Sequence, residues 1–119
     1  MPEYVDGYVL PIPTDKIPDY RKLAKMAAKV WKEHGALDYR ECIGDDLEIK
    51  GVAHFPKVFK TKPNETVVFS WVTFKSRKDR DRVNAQVMSD PRLNTPEVKN
   101  MPFDMKKMVY GGFKTLVSI

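Results

Sequence analysis

The chain predicts an α+β plait, in which a four-stranded antiparallel sheet carries both long helices on one face. Three observations lead there. The element signals run strand–helix–strand and then strand–helix–strand. The first helical segment has one apolar stripe, so it covers one sheet face. The segment Thr66–Phe74 is apolar on both of its faces, which marks a central strand. Two split βαβ units with right-handed crossovers close into the ferredoxin-like βαββαβ arrangement.

The 119 residues match one ordinary domain, 1–119. At 42% hydrophobic and 31% charged the composition is globular. The net charge of +5 admits an anionic partner without requiring one, because acids are interleaved with the bases. Cys42 is the lone cysteine, which excludes an intrachain disulfide and points to a reducing compartment. The first residues, MPEYVDGYVLPIP, lack the basic and apolar regions of a secretory signal, and no run approaches the roughly 18 apolar residues that span a bilayer. A cytoplasmic protein without membrane contact is the expectation.

Tyr4–Ile12 reads as the first strand, with Tyr4, Asp6, Tyr8 and Leu10 on one face and Val5, Gly7 and Val9 on the other. Pro11 and Pro13 are expected to end its pairing. A helix follows from about Asp15 to His34. Asp15 is its expected N-cap, Pro18 lies in the first turn, and Gly35 is the stop. Ala36–Gly44 alternates as a second strand, and Asp45–Asn64 is a long loop with a short helix or edge strand near Val52–Phe59. After Thr66–Phe74, Ser76 caps a helix with Asp79 three residues on. Val83 and Val87, with Ala85 or Met88, form its buried side, and Arg77, Lys78, Arg80, Asp81 and Arg82 face water. Asp90-Pro91 ends it. Arg92–Lys107 is irregular, broken by Pro96 and Pro102. Met108–Val117 is the last strand, with Gly111-Gly112 marking a bulge or a close backbone approach.

Two helices cover only one face of such a sheet, yet the third strand is apolar on both. A second copy of the chain is the economical cover, which predicts a homodimer whose sheets pack into a barrel.

The residues ETVVFSWVTF, the charged helix ending MSDPR, and MPFDMKKMVYGGF, with DGYVLPIPT and ECIGDD earlier, resemble the bacterial DUF1428 family of YbaA-like proteins over nearly the whole chain. The resemblance implies the dimeric α/β-barrel superfamily and transfers no catalytic residue. That superfamily includes cofactor-independent monooxygenases of quinol-like substrates, small isomerases and haem-binding enzymes, an analogy of fold only. His34 and His54 match no haem-ligand motif, so no cofactor is expected.

The chemical candidates are few. Asp6 and Tyr8 with Trp71 would meet in a semi-enclosed apolar space if their face looked into the dimer barrel. There they would orient a small aromatic or apolar ligand and raise the acid's pKa. The alternative makes Tyr8 and Trp71 interface core and Asp6 a hydrogen-bonded acid beside a glycine. His54 is either an acid/base group at a pocket mouth or a solvated loop residue, and His34 is a helix C-terminal residue. Glu41, Phe69 and Trp71 are the ligand-contact candidates. Cys42 points away from Glu41 and reads as a small buried hydrophobe. Asp45, Asp46 and Glu48 fit no cation loop, so no metal is expected. An enzyme, a non-catalytic binder and a stress-associated accessory protein all remain open.

RNA binding is disfavoured. Tyr4 or Tyr8 with Phe69 and Trp71 imitate an RNA-recognition sheet, but VVFSWVTF lacks the basic residue and glycine of that motif.

Overall fold

In the computed structural model, which describes residues 3–101 and 104–119, the strands are β1 (Tyr4–Pro13), β2 (Asp38–Ile43), β3 (Glu65–Phe74) and β4 (Val109–Lys114). The sheet order is β2-β3-β1-β4, antiparallel at every pairing. The helices are α1 (Ile17–His34), α2 (Phe55–Phe59), α3 (Arg77–Met88) and α4 (Pro96–Lys99). This is the expected plait. Pro102, read as a break, lies outside the described residues.

The register assigns the faces. Tyr4, Asp6, Leu10 and Ile12 of β1 are buried with Val68, Ser70, Val72 and Phe74 of β3 on the helix side. Val30 from α1 and Val83 and Val87 from α3 close over Phe74 and Val72, all at 2% exposure or less. Full burial of each such side chain stabilises by about 1.5–3 kcal/mol. The opposite face presents Val5, Val9, Phe69, Trp71, Val109 and Phe113, with Phe69 45% and Phe113 62% exposed.

Several local expectations change. β1 runs through both prolines, pairing Pro11 with Val67 and Pro13 with Glu65. The Thr14 N–H donates to Asn64 beside β3, and the Glu3 carbonyl accepts from Thr115 beyond β4. Odd-numbered residues of β1 therefore turn their nitrogens toward β4. Pairing with β4 ends at Val9, so the prolines lack an N–H only where no strand could use it. Asp15 sits in a 3₁₀ turn (Thr14–Lys16), and α1 starts after Lys16 without a side-chain cap. The Ser76 cap holds: its hydroxyl accepts from the Asp79 N–H at 3.2 Å.

Val67 lies on the open-face side of β3 yet is 2% exposed. The 44–59 segment, carrying Leu47 and Phe55, lies against that end of the face, and of the short helix or edge strand expected near Val52–Phe59 it forms the helix, α2. Ala85 and Met88 of α3 are exposed, so only Val83 and Val87 form its buried side. The Gly111-Gly112 pair makes no bulge, since register runs unbroken from Val109 to Lys114. It is a close approach: a Cβ on Gly112 would lie 2.5 Å from the Tyr4 hydroxyl oxygen.

Candidate functional site

Between α1, the helix-side face of the sheet and residues from 88–101 and 105–108 lies a cavity of about 270 Å³. Its walls are apolar: Leu10, Ala24, Ala27 and Val72, with Met88, Met101, Met105 and Met108 from the later segment. Unbranched thioether side chains fill such a wall adaptably. Tyr8, Tyr20, Trp31 and Tyr39 supply four aromatic rings.

Among the described residues, the one acidic or basic side chain that reaches this cavity is Glu41 of β2. Strand alternation turns Tyr39 and Glu41 inward and Arg40 and Cys42 outward. Glu41 Oε1 accepts from the Tyr20 hydroxyl, and Oε2 accepts from the Tyr39 hydroxyl at 2.5 Å. Burial first, and then the negative Glu41, raises the pKa of both phenols. Both therefore remain proton donors to the carboxylate at neutral pH. The Tyr8 hydroxyl makes no hydrogen bond with the described residues, and burial followed by the nearby Asp6 raises its pKa too.

Behind Tyr8 lies a polar network. Asp6 is fully buried, and its Oδ2 accepts from Asn84 Nδ2 and from the Tyr110 hydroxyl, each at 3.2 Å. Arg80 Nη1 donates to the Tyr110 hydroxyl at 3.0 Å and Nη2 to the Tyr4 hydroxyl at 3.3 Å, with the guanidinium 4.9 Å above the Tyr4 ring. Asp6 Oδ1 and Arg80 Nε are buried without a hydrogen bond, 3.7 Å apart. Desolvation raises the Asp6 pKa, against the hydrogen bond from Asn84 and the charge of Arg80. Asn84 also accepts from Trp31 Nε1 at 3.4 Å, and Tyr8 stacks on Tyr110 at 4.7 Å, so this network braces two walls of the cavity. Arg80 is accordingly not on the wet side of α3. Its side chain is 16% exposed and turned inward.

The expected meeting of Asp6, Tyr8 and Trp71 does not occur. Trp71 pairs with Gly7, whereas Asp6 pairs with Val72 and Tyr8 with Ser70. Trp71 and Phe69 therefore stand together on the open face, 5.6 Å apart edge to face, and Asp6, Tyr8 and Glu41 stand on the other. The RNA-recognition layout fails for the same reason, because Tyr4 and Tyr8 turn inward. Trp71 Nε1 donates to Asp38 at 3.2 Å and lies under Arg40 at 5.7 Å. Cys42 is exposed beside Phe69 rather than buried.

His54 N-caps α2 through its backbone, and its ring Nε2 pairs with the Ile49 carbonyl at 2.9 Å. It lies outside both the helix-side cavity and an outer cleft beside Glu41. His34 Nε2 lies 2.8 Å from Asp90 Oδ2, and Arg92 holds the same carboxylate. Hydrogen bonds from Arg92 and then His34 keep Asp90 well below the usual carboxylate range. Among the described residues no cluster of three or more His, Cys, Asp or Glu could hold a metal, and no helix is long and apolar enough to cross a membrane.

Residues 3–105 match the family described as a protein of unknown function, DUF1428. The chain belongs to the DUF1428 family. It is 44% identical over 115 residues to the uncharacterized protein YbaA of Escherichia coli strain K12, covering 97% of each chain. Among solved structures it is similar to a dimeric ferredoxin-like protein from an uncultured marine organism, with a TM-score of 0.64, 11% identity and full coverage of both chains. It is also similar to SnoaB of Streptomyces nogalater, described as a cofactor-independent oxygenase, with a TM-score of 0.60, 13% identity and coverage of 100% and 98%. At these identities the likeness establishes the fold.

The glutamate with its two tyrosines was half visible to sequence reasoning. Glu41 stood among the ligand-contact candidates, but the Tyr20 and Tyr39 donors went unremarked. Tyr20 carried a signal, since a tyrosine on the apolar stripe of a helix needs a partner for its hydroxyl. The methionine wall gave only its composition.

Proposed function

We propose that this protein is a homodimer formed through the open sheet face, and that each protomer binds a small, mainly apolar organic molecule in its helix-side cavity. Glu41 is the group that exchanges a proton with that molecule. The observation that carries the reading is the Glu41 carboxylate, presented at one end of an apolar cavity between two phenols that stay protonated. The site therefore lies inside each protomer and not in the barrel between them.

Such a carboxylate supports two outcomes. A proton returned elsewhere on the ligand gives an isomerisation. A carbanion left by the proton's departure can meet dioxygen, turning a CH₂ into C=O and releasing water, with all electrons drawn from the ligand. SnoaB, described as a cofactor-independent oxygenase, shares the fold, and that favours the second.

Binding of a small aromatic library to the wild type and to Ala24→Phe, which fills the cavity, tests the location. Hits should vanish in Ala24→Phe. Hits that survive it would move the site to the open face. Solvent deuterium appearing in a bound ligand, and disappearing with Glu41→Gln, tests the proton step, and a ligand that binds without exchange would make the protein a carrier.

A further inference from the structure

The charge census of the cavity says more about its ligand than its shape does. Among the described residues lining it, Glu41 is the one acidic side chain, and no Lys, Arg or His joins it. Glu41 has hydrogen bonds from Tyr20 and Tyr39, which stabilise the charge without neutralising it. Arg21, Lys25 and Arg40 line a second, outer cleft that shares Tyr20, Tyr39 and Glu41 with the cavity, and none of the ion pairs formed among the described residues includes Glu41.

Around this charge stand Tyr8, Trp31 and Tyr39. Trp31 and Tyr39 meet at 5.8 Å with a 45° tilt, leaving ring faces set at an angle to each other. Aromatic faces carry negative potential and attract organic cations, with Trp the strongest. A neutral ligand can pack on the rings but gains nothing from the carboxylate's charge, and an anionic one is repelled by it. A lipophilic cation uses the carboxylate, the rings and the methionine wall together.

Resting on the helix-side cavity being the binding site, we propose that its ligand is an organic cation, an alkyl- or aryl-ammonium whose charged nitrogen sits by Glu41 among the aromatic rings and whose apolar body lies on the methionine wall. A positive nitrogen also acidifies the C–H or N–H bonds next to it, which is where Glu41 would take its proton.

The test compares benzyltrimethylammonium with its neutral isostere, neopentylbenzene, by chemical-shift titration of the intact protein. The wild type should bind the cation at least about tenfold more tightly. Glu41→Gln should remove that preference and leave neopentylbenzene unchanged, while Glu41→Asp, which keeps the charge, should retain most of it. A tenfold preference corresponds to about 1.4 kcal/mol. Equal binding of the two probes, or a preference that survives Glu41→Gln, would overturn the cation assignment and leave the cavity as the site. Equal binding would mean that Arg21, Lys25 and Arg40 already offset Glu41, and a surviving preference would mean that the charge of Glu41 is not its source. Failure of both probes to perturb cavity residues would overturn both readings together.

Discussion

The two faces of the sheet use similar residue types for opposite ends. On the helix side, Phe74 and Val72 are sealed under α1 and α3, and Asp6 and Glu41 are each held in a hydrogen-bonded network. On the open side, Phe69 and Phe113 are exposed and Trp71 is half-buried, with Asp38 and Arg40 as its polar companions. Polar groups are costly to bury and are kept where something specific holds them. An exposed apolar face is kept where something else covers it. On the function proposed above, the chemistry belongs to one side of the sheet and assembly to the other.

The largest break in this contrast comes from a matched pair of phenylalanines. Phe74→Ala empties a sealed site and should cost about 3–5 kcal/mol in urea unfolding. Phe113→Ala, measured at dilutions where the protein is monomeric, should stay within about 0.5 kcal/mol of wild type. A comparable cost at both would mean that the open face is part of the monomer's own core.

Arg80 and Arg82 sharpen the contrast within one helix. Arg80→Met strips the partner from buried Asp6 and should cost about 3 kcal/mol, whereas Arg82→Met removes an exposed pairing with Asp79 worth under about 1 kcal/mol. Asp6 has a raised pKa when folded. Its favourable contribution is complete below the unfolded value near 4 and is lost as pH rises through the folded one. The Arg80→Met deficit should therefore be larger at pH 7 than at pH 4. An equal deficit at both would show that Asp6 does not feel Arg80.

On the open side, Phe69→Glu places a like-charged pair across a two-fold interface, and dimer affinity should fall at least about 100-fold by analytical ultracentrifugation. An unchanged sedimentation profile would refute assembly through this face. Asp90 gives a smaller effect of opposite sign to Asp6. Its lowered pKa means that its contribution is present above the unfolded carboxylate range and lost as pH falls below it, so Asp90→Asn should flatten the acid limb of the stability curve. The smallest effect belongs to His54→Ala, within about 0.5 kcal/mol and without influence on ligand binding, because the ring touches only a loop carbonyl.

Much of the fold was legible in the sequence, and for stated reasons. The two-sided apolar character of β3, the Ser76 cap and the Gly35 stop are local features with local causes. The partition of β1 into Tyr4, Asp6, Tyr8 and Leu10 against Val5, Gly7 and Val9 was also legible. What alternation cannot show is register between strands. Gly7, not Asp6, stands opposite Trp71, and that parity alone separated the expected trio. Arg80 was misread because a charged run at a helix start looks solvated, and only the fold brings Asp6 beneath it. The tyrosine pair on Glu41 joins residues 20, 39 and 41 from two elements, a contact that needs the α1–β2 packing to exist.

The two tryptophans offer the most direct test, since one stands on each side of the sheet. Trp31 lines the cavity and Trp71 the open face, so their indole N–H resonances report the two places separately. Titration with benzyltrimethylammonium should shift the Trp31 indole signal and leave the Trp71 signal in place. A shift confined to Trp71 would contradict the assignment of ligand binding to the helix side.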